Sequence, residues 1–199
     1  MKNSLLLIID LQNDFCAGGS LAVQGGDDIV PLINKLASEF AHVVLTQDWH
    51  PPHHLSFASQ HQGAAAFTQI EMPYGPQTLW PDHCIIGTKG AEFHRELEVT
   101  HAELIIRKGF RREVDSYSAF FENDHKTPTG LGGYLKERGF SHITCVGLAF
   151  DYCVRYSAED AKAMGFEVEV IEAATRAVDL AGTVSATKQS FTERGIVLR

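Results

Sequence analysis

The stretch TQDWHPPHHLSF, residues 46–57, gathers one carboxylate and three imidazoles directly after the apolar run HVVL. Asp48 and His50 stand two apart on what reads as extended chain, so their side chains point the same way and can share one ion. His83, in LWPDHC, could close the set from a distant loop. A carboxylate with two imidazoles and open water positions suits zinc, iron(II) or manganese(II). Solvated loop histidines would explain the spacing about equally well. His53, His61, His94, His101, His125 and His142 read as surface or packing residues.

A second chemistry is offered by Asp10, which closes LLLIID, Lys108, which closes ELIIRK, and Cys153, which follows HITCVGLAFDY. A thiol at a helix N-terminus beside a lysine is expected to have a lowered pKa and to act as a nucleophile. The ordinary alternative is a small buried apolar cysteine. Asp10 and Lys108 could likewise do no more than pair. An ion pair at buried strand ends gains little net stability, however, so chemistry is the better reason for keeping both.

Position is what unites these residues. Apolar runs at 5–10, 43–47, 103–108, 142–148, 167–171 and 196–198 read as buried parallel strands, and helical spacing marks 27–41, 130–139, 152–165 and 183–195. This alternation predicts an α/β fold, a three-layer α/β/α domain around a six-stranded, mainly parallel sheet. Gly139, Gly165 and Gly195 sit where left-handed helix caps are expected. Ligands of such sheets bind outside the carboxyl ends of the strands, where Asp10, Asp48, Lys108 and Cys153 all fall. Segments 48–90 and 109–128 are long for plain loops, so function is expected there, the first forming an ordered excursion beyond the sheet edge.

The 199 residues are read as one domain, 1–199. A net charge of -8 with seventeen scattered basic residues argues against nucleic acid and for a small-molecule substrate. Only five consecutive apolar residues precede Asp10, too few for a signal-peptide core or a membrane span, so a cytoplasmic protein is expected. Cys16, Cys84, Cys145 and Cys153 are too sparse for a disulfide scaffold and are expected as thiols.

The segments IIDLQNDFCAGGSLAV (8–23), TQDWHPPHHLSFA (46–58), LWPDHCIIGTKGAEFH (79–94), IRKGFRREVDSYSAF (106–120) and VGLAFDYCVRYSAEDA (146–161) span the chain nearly end to end. Together they resemble the nicotinamidases, or pyrazinamidases, of the isochorismatase-like cysteine hydrolases. The resemblance implies a catalytic triad of Asp10, Lys108 and Cys153. It implies a metal held by Asp48, His50 and His83, with His54 matching a position that binds or supports the metal only in some members. It further implies a cis peptide between Leu148 and Ala149, an oxyanion hole from the N–H groups of Ala149 and Cys153, and a pocket of Phe15, Leu21, Trp80 and Tyr117, with Tyr152 of open role. The implied reaction hydrolyses nicotinamide or pyrazinamide through a cysteine thioester, in NAD salvage, with homo-oligomerisation open.

Rival readings are a metal-free cysteine hydrolase of isochorismate or a carbamoyl compound, a metallohydrolase in which Cys153 is structural, and a non-enzymatic metal or thiol sensor.

Overall fold

The computed structural model describes residues 3–199. Its centre is a six-stranded sheet of β1 (Ser4–Ile9), β2 (Val43–Asp48), β5 (Leu104–Lys108), β6 (His142–Leu148), β7 (Glu167–Arg176) and β8 (Val197–Leu198), in the order β5-β2-β1-β6-β7-β8. Each neighbouring pair is parallel. β3 (Gln69–Met72) and β4 (Gly75–Thr78) form a separate antiparallel hairpin inside the ordered 48–90 excursion, where no apolar run marks a strand.

Side chains of β1 alternate between two cores. Leu5, Leu7 and Ile9 pack with Leu131 and Leu135 of α2 (Leu131–Glu137), Ala158 and Ala161 of α3 (Arg155–Ala163) and Phe191 of α4 (Thr183–Arg194). Leu6 and Ile8 pack instead with Ile33 and Ala37 of α1 (Val30–Glu39). The period of two thus sends successive apolar residues into opposite layers, and the expected three-layer α/β/α arrangement results.

Three local readings change. β5 is an edge strand rather than a fully buried one, with Ile105 about half exposed. β7 runs on to Arg176, five residues past its apolar stretch, after a register shift opposite Cys145 and Gly147. Helix α3 starts at Arg155, and Cys153 sits before it in a π-helical turn, Phe150–Val154, closed by a bond from the Val154 amide to the Ala149 carbonyl of 3.1 Å. Such one-turn π segments recur at functional sites. Gly139, Gly165 and Gly195 take positive φ as expected. All four cysteines are free thiols. Among the described residues no helix is long and apolar enough to cross a membrane.

Candidate active site

The carboxyl edge of the sheet assembles the predicted groups because of strand order and register. β2 lies between β1 and β5, and the β2–β5 register sets Asp48 directly opposite Lys108. Asp10, the first residue after β1, has φ of 47°, a left-handed conformation that Asp tolerates better than most residues. β6 can end beside it because Gly147 has no Cβ: one built there would lie 2.1 Å from the Ile9 carbonyl oxygen. The Leu148–Ala149 peptide that follows is cis.

Lys108 is the hub. Its ammonium is buried, 2.7 Å from Asp10 Oδ2, paired with Asp48 Oδ1, 2.9 Å from the Ser116 carbonyl oxygen and 3.4 Å from Cys153 Sγ. Three N–H bonds face four acceptors, so the long contact to sulfur acts mainly through charge. Asp10 Oδ1 also accepts the Thr46 hydroxyl at 2.6 Å. The triad residues Asp10, Lys108 and Cys153 are therefore brought together, with Asp48 as a fourth member that the sequence reading assigned to metal binding alone.

Charge sorts these groups. Burial pushes the Asp10 carboxyl up and Asp48 adds to it, against the pull of Lys108. Burial also opposes ionisation of Asp48, but Lys108 and His50 outweigh it and hold Asp48 well below the usual carboxylate range. Lys108 is buried too, yet the two carboxylates raise it well above an ordinary lysine. The expected low-pKa thiol at Cys153 is corrected: burial raises it well above an ordinary cysteine, Lys108 opposes this, and Asp10 and Asp48 reinforce it. The helix-terminus argument loses force because Cys153 precedes α3 in a buried turn facing two carboxylates. The resting thiol keeps its proton, within hydrogen-bonding reach of Asp10.

Asp48 Oδ2 looks the other way, 3.6 Å from His50 Nε2 and 3.7 Å from His83 Nε2, and all three residues are buried. Their outer nitrogens are spoken for. His50 Nδ1 lies 2.9 Å from the Gly109 carbonyl oxygen and His83 Nδ1 lies 2.8 Å from that of Pro81. Each ring therefore donates from Nδ1 to a carbonyl and turns Nε2 toward Asp48, the arrangement that orients metal-ligating histidines. Gly109, with φ of 67°, backs the His50 ring so closely that a Cβ there would lie 2.5 Å from Cε1. The donor spacing and the anchoring of both Nδ1 atoms fit one divalent ion on Asp48, His50 and His83.

His54 stacks 4.5 Å from His50, ring centre to ring centre, but stands outside this trio. Its Nε2 donates to the Arg111 carbonyl oxygen at 2.8 Å and its Nδ1 accepts the Ser56 amide at 3.1 Å. Burial and the neighbouring His50 lower its pKa to about 4. Asp115, hidden in the charged 109–128 segment, went unnoticed in the sequence; its Oδ1 comes within 4.0 Å of His50 Nε2. No periodicity marks it, and only its place two residues before Tyr117 hinted at a role.

A cavity opens onto both groups of residues. Its lining includes all four predicted pocket residues, Phe15, Leu21, Trp80 and Tyr117, with Val23, Asp48, His83, Asp115, Ala149, Tyr152, Cys153 and Val178. Trp80 meets Tyr152 edge-to-face at 4.8 Å. The Tyr117 hydroxyl accepts the Trp80 indole N–H at 3.1 Å and the Gln77 amide at 2.8 Å, so the hairpin strand β4 holds the aromatic wall upright.

Residues 4–198 match the family described as the isochorismatase domain. The chain is 50% identical over 195 residues to a nicotinamidase of Acinetobacter baylyi, covering 98% of this chain and 91% of that one. It superposes on an Acinetobacter baumanii nicotinamidase and pyrazinamidase with TM-score 0.98 and 52% identity, covering 100% and 96% of the two chains. A Pyrococcus horikoshii pyrazinamidase solved in complex with zinc matches with TM-score 0.81 and 30% identity, over 99% and 98% of the two chains. The chain belongs to the isochorismatase-domain family, among its nicotinamidases.

Proposed function

We propose that this protein hydrolyses nicotinamide, and pyrazinamide, to the corresponding acid and ammonia through a thioester on Cys153, and so serves NAD salvage. The observation that carries this reading is one cavity with two chemical ends. Cys153 stands with Lys108 and Asp10 at one end, and Asp48 and His83 stand at the other, between Phe15, Trp80 and Tyr117. A flat aromatic amide fits between such walls with its carboxamide at the sulfur.

Asp10 takes the Cys153 proton as Sγ attacks the amide carbon. Its raised pKa suits this role, since a base closer in affinity to the thiol accepts the proton at lower cost. Lys108 offsets the negative charge passed between sulfur and carboxylate, and its own high pKa keeps it charged throughout. The backbone N–H groups of Ala149 and Cys153 receive the oxyanion. As the C–N bond breaks, Asp10 returns the proton to nitrogen and ammonia leaves. A water then gives a proton to Asp10 and attacks the thioester; the C–S bond breaks, Sγ regains the proton and the carboxylic acid product is freed.

Asp48, His50 and His83 would hold a divalent ion, zinc, iron(II) or manganese(II), which would supply a Lewis acid at that end of the cavity. His54 supports the trio by packing on His50 rather than by ligation. The test is ammonia release from nicotinamide with and without a chelator. Turnover that falls on chelation and returns with metal supports the reading. No release from either amide would overturn it, and turnover indifferent to chelation would favour the metal-free cysteine hydrolase.

A further inference from the structure

Three potential ligands converge on the far side of the loop that walls the cavity. Phe15 faces the substrate cavity, but the next residue, Cys16, lines a separate cleft between segments 13–19 and 89–96, together with Asp27 and His94. One ligand atom from each of Cys16, Asp27 and His94 lies within 4.8 Å of the other two. Asp27 is the centre: Oδ1 is 3.3 Å from His94 Nε2, and Oδ2 accepts the Ala17 amide at 3.0 Å. The Cys16 thiol lies within 4.8 Å of the same carboxylate.

We propose that Cys16, Asp27 and His94 form a second binding site for a thiophilic divalent cation, zinc foremost, distinct from the Asp48 trio. The donor set is one sulfur, one imidazole nitrogen and one carboxylate oxygen, the borderline-soft combination that zinc takes, with a fourth position for water. Tetrahedral zinc with ordinary bond lengths spaces such donors about 3.4 to 3.6 Å apart, so the imidazole and carboxylate already stand near that spacing and the sulfur needs a modest approach. Thiolate and carboxylate together neutralise the ion. The ion has a way in, since the Asp27 side chain is 38% exposed and that of His94 13%.

Loading has a defined proton balance. Cys16, which burial and Asp27 raise to about 12, releases its proton to solvent as the metal–sulfur bond forms. His94 now accepts the Glu96 amide at Nδ1 at 3.2 Å, so Nε2 carries the ring proton; on loading that proton moves to Nδ1 and the Glu96 amide, in an exposed turn, goes to water. The consequence for the molecule is mechanical. The ion ties the loop bearing Phe15 and Leu21 to segment 91–94, so the ring wall is held from behind.

The test counts metal in the purified full chain after zinc loading and desalting, in wild type, Cys16→Ala, His94→Gln and His83→Ala. Two zinc ions per wild-type chain are expected, falling to one in each variant, with the ion retained by His83→Ala lost in the Cys16→Ala/His83→Ala double variant. Cobalt(II) substitution gives an independent readout. A thiolate-to-cobalt charge-transfer band should be present in Cys153→Ala and absent in Cys16→Ala. A zinc count that Cys16→Ala and His94→Gln leave unchanged, or a sulfur band that follows Cys153 and not Cys16, overturns the proposal.

Discussion

Replacing Lys108 with Met removes the side-chain cation that Asp10 and Asp48 share. The methionine fills nearly the same space, so the effect is electrostatic. Both carboxylates are buried, Asp10 fully, and each loses its contact with the ammonium. Breaking a buried ion pair by deleting one partner costs about 3 to 5 kcal/mol. At about 2 to 4 °C per kcal/mol for a chain of this size, melting should fall by about 6 to 20 °C. The assay is urea unfolding of chelator-treated protein, so that no divalent ion replaces the lost charge on Asp48. The pH dependence follows from the sign of the change. Without Lys108 the folded carboxyl pKa values lie above their unfolded values, so the folded variant binds protons more readily than the unfolded chain. Its deficit should be largest at pH 7 and shrink as pH falls toward 5. A loss under about 1 kcal/mol, or one that does not change with pH, would refute the hub role given to Lys108.

Other consequences can be checked separately. His54, at about 4 when folded and about 6.5 when unfolded, is protonated first in the unfolded chain, so it removes about 2 kcal/mol of stability between pH 7 and pH 5. Urea unfolding at the two pH values should show that slope in wild type and a flatter one in His54→Gln. Tyr117→Phe leaves the Trp80 N–H without its acceptor, at a cost of about 1 to 3 kcal/mol, while the Gln77 amide keeps the Thr78 carbonyl and Asp115; initial-rate measurements with nicotinamide should show KM rising more than kcat falls. His83→Ala should lose the metal of the Asp48 trio, read by elemental analysis, and turnover with it.

The chemistry was legible in the sequence wherever it sat at a strand end. Asp10, Asp48 and Lys108 each close an apolar run, and parallel strands send such residues to one edge whatever their order. The strand order itself was not legible. That β2 separates β1 from β5, and so sets Asp48 against Lys108, depends on long-range pairing that local apolar patterns do not encode. The hairpin at 69–78 was hidden because its strands are short and polar and contain Pro76, which local reading takes for a turn. β7 outran its apolar stretch because Glu172 and Ala173 are exposed there and carry no burial signal. The pKa of Cys153 was misread for a related reason. Sequence placed a lysine and a helix near it, whereas its burial and the reach of two carboxylates are properties of the fold.

Everything in the proposed reaction depends on a covalent bond between Cys153 and the substrate's carbonyl carbon. Rapid acid quench of enzyme turning over nicotinamide, followed by mass spectrometry of the Cys153 peptide, tests it most directly. Wild type should carry a nicotinoyl thioester on Cys153, and Cys153→Ala should show neither adduct nor ammonia release. Ammonia release at an undiminished rate from Cys153→Ala would contradict it.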